Sequence, residues 1–318
     1  MVVSRRLNGN PPASTAGNER GALAEFSGPV RGEAPDGEGR RPFPYRVAVF
    51  DLDGTLMRYE GVITDETLSA LNRLRASGVR VVLATGRRHE GAAKHAARLG
   101  FEVDEPLICY GGAMVRSTSG ETLLKNTMDP EDALAVLRWA ERRGIMTRIL
   151  GDGWLISSGN LVEEADVKQV VMSDEIEVVA SPADWLAERS LKNGEIPIKV
   201  TLVAPPASVE GWLVPLQREF SGRLFVTRSL PHYVEVGGTR GKKSYALARL
   251  LDGWGVPPEK VIAFGDGEND IDLLRFVGHG VAVGGISPAV REAADAVTGD
   301  VYKDGVATYI SKLFSHRA

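Results

Sequence analysis

From Val47 onward the chain alternates short apolar runs with longer stretches in which apolar residues recur every three or four positions. Val47-Ala48-Val49-Phe50, Arg80-Val81-Val82-Leu83, Leu107-Ile108-Cys109-Tyr110 and Val261-Ile262-Ala263-Phe264 are runs of the first kind. Such short, nearly continuous runs bounded by turn residues predict strands buried on both faces, as in a parallel sheet. Leu68, Leu71 and Leu74 share one face of a predicted helix that opens on Asp65 and Glu66 and closes at Gly78. A second helix is expected from about 89 to 99, stopping at Gly100. Strand and helix in alternation predict an α/β fold with a doubly wound, Rossmann-like parallel sheet.

The rhythm changes after Gly111-Gly112. Between 114 and 236, strand-like segments at 145–150, 154–157, 176–180, 198–204 and 224–227 are interleaved with helices that start at Asp129-Pro130 and Ser181-Pro182. An Asx or Ser cap followed by proline is a common way to open a helix. The expected organisation is a core made of 45–113 and 237–318, with an α/β domain inserted at 114–236. Residues 1–44 differ from both. They are crowded with Gly, Pro, Ser, Asn, Arg and Glu, lack aliphatic periodicity and hold no apolar core of a secretory signal. Glu19, Glu25, Glu33, Asp36 and Glu38 argue against an acid-poor organelle-targeting peptide. A disordered extension, dispensable or translated from a start placed too far upstream, is expected.

Composition fits this picture. At 318 residues, with 43% hydrophobic and 25% charged residues, the chain is of ordinary globular make-up and long enough for two domains. The net charge of −4 offers no general basic surface for nucleic acid, and no apolar run approaches the roughly 20 residues of a membrane helix. The single Cys109 excludes an internal disulfide and reads as a small apolar core residue, in keeping with a reducing cytoplasm. Nothing in the sequence fixes an oligomeric state.

The candidate chemistry sits at strand ends. The first run continues as Asp51-Leu52-Asp53-Gly54-Thr55, placing two carboxylates one residue apart where open α/β sheets bind ligands. One carboxylate can attack while the other handles a proton. A neighbouring glycine and threonine, whose backbone N–H groups can turn toward an anion, favour phosphate over glycoside chemistry. Taken alone, this is also how a strand runs into an Asp-Gly turn. Partners occur downstream in fixed order: Thr85-Gly86-Arg87 after the second strand, Gly241-Lys242-Lys243-Ser244 at the start of a helix, and Gly265-Asp266-Gly267-Glu268-Asn269-Asp270 after the last of the four runs.

In that order, these four motifs resemble those of the haloacid dehalogenase superfamily. An insert between the second and third motifs resembles the Cof-type phosphatases, whose large α/β cap lies there. The resemblance covers about 45–316. It implies a phosphoric monoester hydrolase acting on a small phosphorylated metabolite, such as a sugar phosphate, through an aspartyl-phosphate. Asp51 would be the nucleophile, and Asp53, held protonated by its neighbours, the acid and base. Thr85 and Lys243 would contact the phosphoryl group. Gly54, Gly86, Arg87 and Asn269 would bind phosphate or substrate. Asp51, Asp266 and Asp270, with the backbone carbonyl of Asp53, would hold Mg²⁺, a hard ion that prefers oxygen ligands. Lys242 and Lys243 compete for the third-motif role, and the spacing to Ala246-Leu247 favours Lys243. Where the family often has Asn-Gly-Ala, this chain has Gly111-Gly112-Ala113, which removes a side chain near the cap hinge. A phosphotransferase or mutase, and a catalytically silent metal-binding scaffold, are the competing readings. Arg148, Asp152, Trp154, His232 and Tyr233 are candidate substrate contacts in the insert, with His232 and Tyr233 first because they lie just before the return to the core.

A segment with so few apolar residues buries little surface. Deleting residues 1–40 is therefore expected to leave turnover and melting temperature nearly unchanged; a loss of several degrees in a thermal melt would show that it packs on the core.

Overall fold

The computed structural model of the chain describes residues 43–159, 176–193 and 195–315. The predicted extension at 1–44 lies outside these residues apart from Phe43 and Pro44. Phe43 packs its ring 5.0 Å from that of Phe314.

β1 (Val47–Phe50), α1 (Asp65–Ala76), β2 (Arg80–Ala84), α2 (His89–Arg98) and β3 (Pro106–Cys109) alternate as predicted. Two short strands follow, β4 (Met114–Ser117) and β5 (Thr122–Lys125). The chain then runs through α3 (Pro130–Glu141), β6 (Met146–Leu150), β7 (Leu155–Ser157), β8 (Glu177–Val178), α4 (Pro182–Asn193), β9 (Lys199–Val203), α5 (Pro206–Glu219), β10 (Leu224–Leu230) and β11 (Tyr233–Gly238). It closes with α6 (Lys243–Trp254), β12 (Val261–Gly265), α7 (Ile271–Phe276), β13 (His279–Val283), α8 (Pro288–Ala293), β14 (Ala296–Thr298) and α9 (Gly305–Ser315).

Eight strands form one sheet in the order β14-β13-β12-β1-β2-β3-β4-β5, parallel from β14 to β3. Period-two alternation along β1 divides its side chains between two cores. Ala48 and Phe50 pack with Leu71 and Leu74 of α1 and Ile310 of α9, while Val47 and Val49 pack with Leu247 and Leu250 of α6. Helices therefore cover both faces, which explains the unbroken apolar runs. From β1 the chain builds outward through β2 and β3, and on its return builds the other way from β12. The switch in direction falls between β1 and β12, where such sheets open a crevice at their carboxyl ends.

β4 and β5, expected in the insert, instead extend this sheet as antiparallel strands beside β3. The remaining strands form a second sheet, β10-β11-β9-β6-β7-β8. Its Ile149, Val200, Leu202, Val234 and Val236 pack on α3, α4 and α5. β8 is shorter than the predicted segment, β10 is longer, and β11 had no prediction. The two crossings between the sheets, 126–129 and 239–242, run side by side, with Asn126 Nδ2 donating to the Arg240 carbonyl at 3.3 Å, and Gly112, in the turn from β3 to β4, forms an isolated bridge with Lys242. Gly112 has φ +104°, and a Cβ there would stand 2.1 Å from the Lys242 carbonyl carbon, so only glycine fits. Cys109 is buried in β3, and burial pushes its thiol up to about 12.

Candidate active site

β1 ends at Phe50, and the N–H of Asp51 still donates to the Phe264 carbonyl of β12 at 2.9 Å. The chain then coils tightly, with the Leu52 carbonyl accepting from the N–H groups of Leu56 and Met57. Gly54 makes the coil possible. Its φ is +82°, and a Cβ would lie 2.3 Å from Oδ2 of Asp266. Asp266 is the first residue after β12. Its Oδ1 accepts from the Thr55 hydroxyl at 2.7 Å and its Oδ2 from the Tyr59 hydroxyl at 3.3 Å. Asp270 closes the same loop, its Oδ2 accepting from the N–H groups of Asp266 and Gly267 at 3.2 and 3.1 Å.

Lys243, the first residue of α6, is 0% exposed. Its Nζ donates to Oδ1 of Asp51 at 2.5 Å and to Oδ1 of Asp270 at 2.6 Å. Lys242 instead lays its Nζ over the Phe225 ring, 4.8 Å from the centroid. The geometry thus selects Lys243 between the two candidates. Burial alone would lower the Lys243 pKa, but the carboxylates of Asp270 and Asp51 hold it above its ordinary value.

Asp51, Asp266 and Asp270 each bring an oxygen within 4.8 Å of the others. Burial lifts the Asp51 carboxyl well above the usual carboxylate range; Lys243 opposes this, and the neighbouring Asp270 and Asp266 add to it. Asp266 is pushed up to about 7, first by burial and then by repulsion from Asp270. Three carboxylates against one ammonium leave an excess of negative charge, with Asp270 fully buried and Asp51 and Asp266 reaching the cavity wall. A hard divalent cation with oxygen ligands fits that donor set.

Both oxygens of Asp53 accept from Arg87, Oδ2 from Nε at 2.8 Å and Oδ1 from Nη2 at 2.7 Å. A guanidinium 34 residues away is thus folded onto the second aspartate in a two-point contact, a partner that the sequence reading did not place there. Arg87, predicted as a phosphate or substrate contact, is itself committed to Asp53. Thr85 is buried just past the end of β2, where its hydroxyl accepts from the Arg87 N–H at 3.2 Å.

A cavity of about 610 Å³ separates the two sheets. Asp51, Asp53, Asp266, Gly86, Arg87 and Asn269 line it from the core, whereas Gly54, Thr85, Lys243 and Asp270 stand behind the wall. Of the candidate contacts from the second sheet, Arg148, His232 and Tyr233 line the cavity. Asp152 and Trp154 do not. Asp152 is held by Arg116 and Lys125, both at 2.8 Å, and Trp154 packs its ring 5.1 Å from Trp185. The sequence reading missed Tyr59 and the pair Lys199–Glu235. Lys199 Nζ donates to Glu235 Oε2 at 2.9 Å and to the Gly86 carbonyl at 3.2 Å, tying the second sheet to the loop after β2. The alternation of Ile198-Lys199-Val200-Thr201-Leu202 carried a signal for Lys199; nothing local marked Tyr59.

The chain belongs to the haloacid dehalogenase-like hydrolases, whose family model matches residues 48–310. It is 26% identical over 296 residues to a 5-amino-6-(5-phospho-D-ribitylamino)uracil phosphatase of Bacillus subtilis, covering 86% of this chain and 98% of that protein. It is 27% identical over 280 residues to a pyridoxal phosphate phosphatase of Escherichia coli, covering 85% and 98%. Among solved structures, a haloacid dehalogenase-like hydrolase from Bacteroides thetaiotaomicron superposes with a TM-score of 0.68 at 27% identity, covering 85% of this chain and 99% of that one. No helix among the described residues is long and apolar enough to cross a membrane.

Removing one partner of a buried ion pair strands the others. Lys243→Met is therefore expected to lose about 3–5 kcal/mol of stability by urea unfolding in chelator, together with turnover. Lys242→Met is expected to change neither by more than a small fraction of that. Equal effects of the two substitutions would contradict the placement.

Proposed function

We propose that this chain, a phosphoric monoester hydrolase by family, hydrolyses a small phosphorylated metabolite through an aspartyl-phosphate on Asp51, with Mg²⁺ as cofactor. The observation that carries the reading is the buried cluster of Asp51, Asp266 and Asp270 around Lys243 at the switch point of the sheet. Phosphate esters hydrolyse very slowly in water because an anion must approach an anion. Charge cancellation and positioning are what a catalyst must supply, and this site offers both.

Lys243 fixes the orientation of the Asp51 carboxylate and, from behind the cavity wall, would supply positive charge beneath the phosphoryl group. In the first step an oxygen of Asp51 forms a bond to phosphorus as the ester P–O bond breaks, and Asp53 gives a proton to the leaving oxygen. In the second, Asp53 takes a proton from the water that attacks phosphorus, which frees Asp51 and inorganic phosphate. Mg²⁺ bound by Asp51, Asp266 and Asp270 would supply further neutralisation of the phosphoryl oxygens. For Asp53 to carry a proton, Arg87 has to let go of it, and the incoming phosphoryl group is a competing anion for the guanidinium. Asn269 would contact phosphate or substrate from the cavity wall, and Thr85, buried behind that wall, would reach the phosphoryl group only as it settles against the loop after β2.

The second sheet acts as a cap, with core and cap assigned to 45–113 with 237–318 and to 114–236, adjusted so that β4 and β5 stay with the core sheet. A cavity of about 610 Å³ suits a metabolite and excludes a folded protein substrate. The relatives named for pyridoxal phosphate and for a ribitylaminouracil phosphate act on compounds of that size. Closure would keep bulk water out while admitting the hydrolytic one.

The two aspartates separate in experiment. Asp51→Asn is expected to abolish turnover on every substrate, because an amide is too weak a nucleophile to attack phosphorus. Asp53→Asn is expected to slow unactivated esters by roughly 10²–10⁴-fold, but to recover in part on p-nitrophenyl phosphate, whose leaving group needs little protonation. Peptide mapping of the phosphorylated Asp53→Asn enzyme would find the label on Asp51. Equal defects of the two variants on activated and unactivated substrates, or label on another residue, would overturn the roles.

A further inference from the structure

The cap sheet turns one polar row toward the cavity. Ser157 of β7 pairs with Arg148 of β6, Arg148 with Thr201 of β9, Thr201 with Glu235 of β11, and Glu235 with Thr227 of β10. Directly opposed residues share a face, so these five side chains lie side by side across the sheet. Flanking rows on the same face bring apolar surface, Leu150 and Leu155 on one side and Tyr233 and Leu230 on the other. A polar stripe between apolar flanks is the build of a small-molecule site.

Around the cavity the charges are unevenly matched. Four lysine and arginine side chains line the cavity, Arg87, Arg88, Arg148 and Lys199. Arg87 is paired with Asp53, Arg88 with Glu90 at 3.6 Å and Lys199 with Glu235. Arg148 has no carboxylate partner among the described residues, although it is only 6% exposed. Its Nη1 donates a long hydrogen bond, 3.4 Å, to the Tyr233 hydroxyl. Its Nε and Nη2 present no open surface, to the cavity or to bulk water, and meet no acceptor among the described residues, so the guanidinium has to turn for that edge to meet a ligand. Burial lowers its pKa from the ordinary arginine value, with Tyr233 opposing, as expected of a cation short of counter-charge.

Nε and Nη2 form the edge of a guanidinium that grips a carboxylate or phosphate at two points. Arg87 uses that same edge on Asp53 in this protein. A buried, unspent fork costs free energy unless something fills it. We propose that Arg148 recognises a second anionic group on the leaving-group side of the substrate, a carboxylate or a further phosphate. The preferred substrates are then phosphorylated acids or bisphosphates, not neutral polyol or sugar monophosphates. This rests on the phosphatase reading above and narrows it.

The test compares matched esters that differ only at the far end. 3-Phosphoglycerate against glycerol 3-phosphate, and 6-phosphogluconate against sorbitol 6-phosphate, exchange a carboxylate for a hydroxymethyl group at two lengths. Fructose 1,6-bisphosphate against fructose 6-phosphate adds a phosphate. The wild-type enzyme with Mg²⁺ is expected to favour the anionic member of at least one pair by about tenfold or more in kcat/KM, chiefly through KM. The pair that shows it identifies the anion. Arg148→Gln is expected to bring that ratio close to one, and Arg148→Lys, which keeps the charge without the fork, to hold part of it. A wild-type enzyme that hydrolyses p-nitrophenyl phosphate yet prefers the neutral member of all three pairs, or does not discriminate, overturns the inference and leaves the phosphatase reading intact. This comparison needs no variant, so a poorly folded Arg148→Gln does not blunt it. Failure to hydrolyse any of these esters overturns both.

Discussion

Lys243 sits between Asp51 and Asp270 with both carboxylates within 2.6 Å, and most of the site follows from the cost of keeping those charges dry. Isolated charges do not survive burial, so each must be met by a partner or by backbone N–H groups. The loop after β12 turns two N–H groups onto Asp270. Thr55 and Tyr59 turn their hydroxyls onto Asp266. The glycine at 54 lets the first loop approach Asp266 so closely that no side chain fits. Even with these contacts, the carboxylates outnumber the ammonium. That residual charge is what a hard divalent cation would offset.

The sheet explains why residues so far apart in sequence can meet here. β1 and β12 are adjacent and parallel, and both end in aspartates at the same edge. α6 follows directly from the bridge at Gly112 and Lys242, so the lysine enters the site where the chain returns from the second sheet. The chain leaves for the second sheet after β5 and returns before α6, with Asn126 Nδ2 donating to the Arg240 carbonyl between the two crossings, and Lys199 fastens the second sheet to the loop after β2. Placement of this kind lets one core chemistry serve different substrates, because the cavity wall opposite the acids is built by a separate sheet.

Much of this was legible in the sequence because the signals are local. An apolar run ending in acids is both the strand and its functional end. The choice of Lys243 over Lys242 also follows from periodicity: residues three, four and seven places beyond Lys243, namely Ala246, Leu247 and Leu250, are all buried. What could not be read depends on register between distant segments. Nothing near Asp53 in sequence announces Arg87, which the fold lays across both of its oxygens. The strands at 114–125 carry no mark of which sheet they join. Arg148 stands out from Asp152 and Trp154 only once β6, β9 and β11 are aligned, since the cross-strand row is a property of the sheet and not of any one strand.

The central claim is that the excess negative charge of Asp51, Asp266 and Asp270 makes this a divalent cation site. Calorimetric titration of chelator-treated protein with MgCl₂ tests it most directly, read beside the thermal melt. The account predicts saturable binding at one site per chain, a melting temperature that rises with Mg²⁺, and loss of both in Asp266→Asn. Absence of binding and of any Mg²⁺-dependent stabilisation in the wild-type protein, or binding unchanged in the variant, would contradict it.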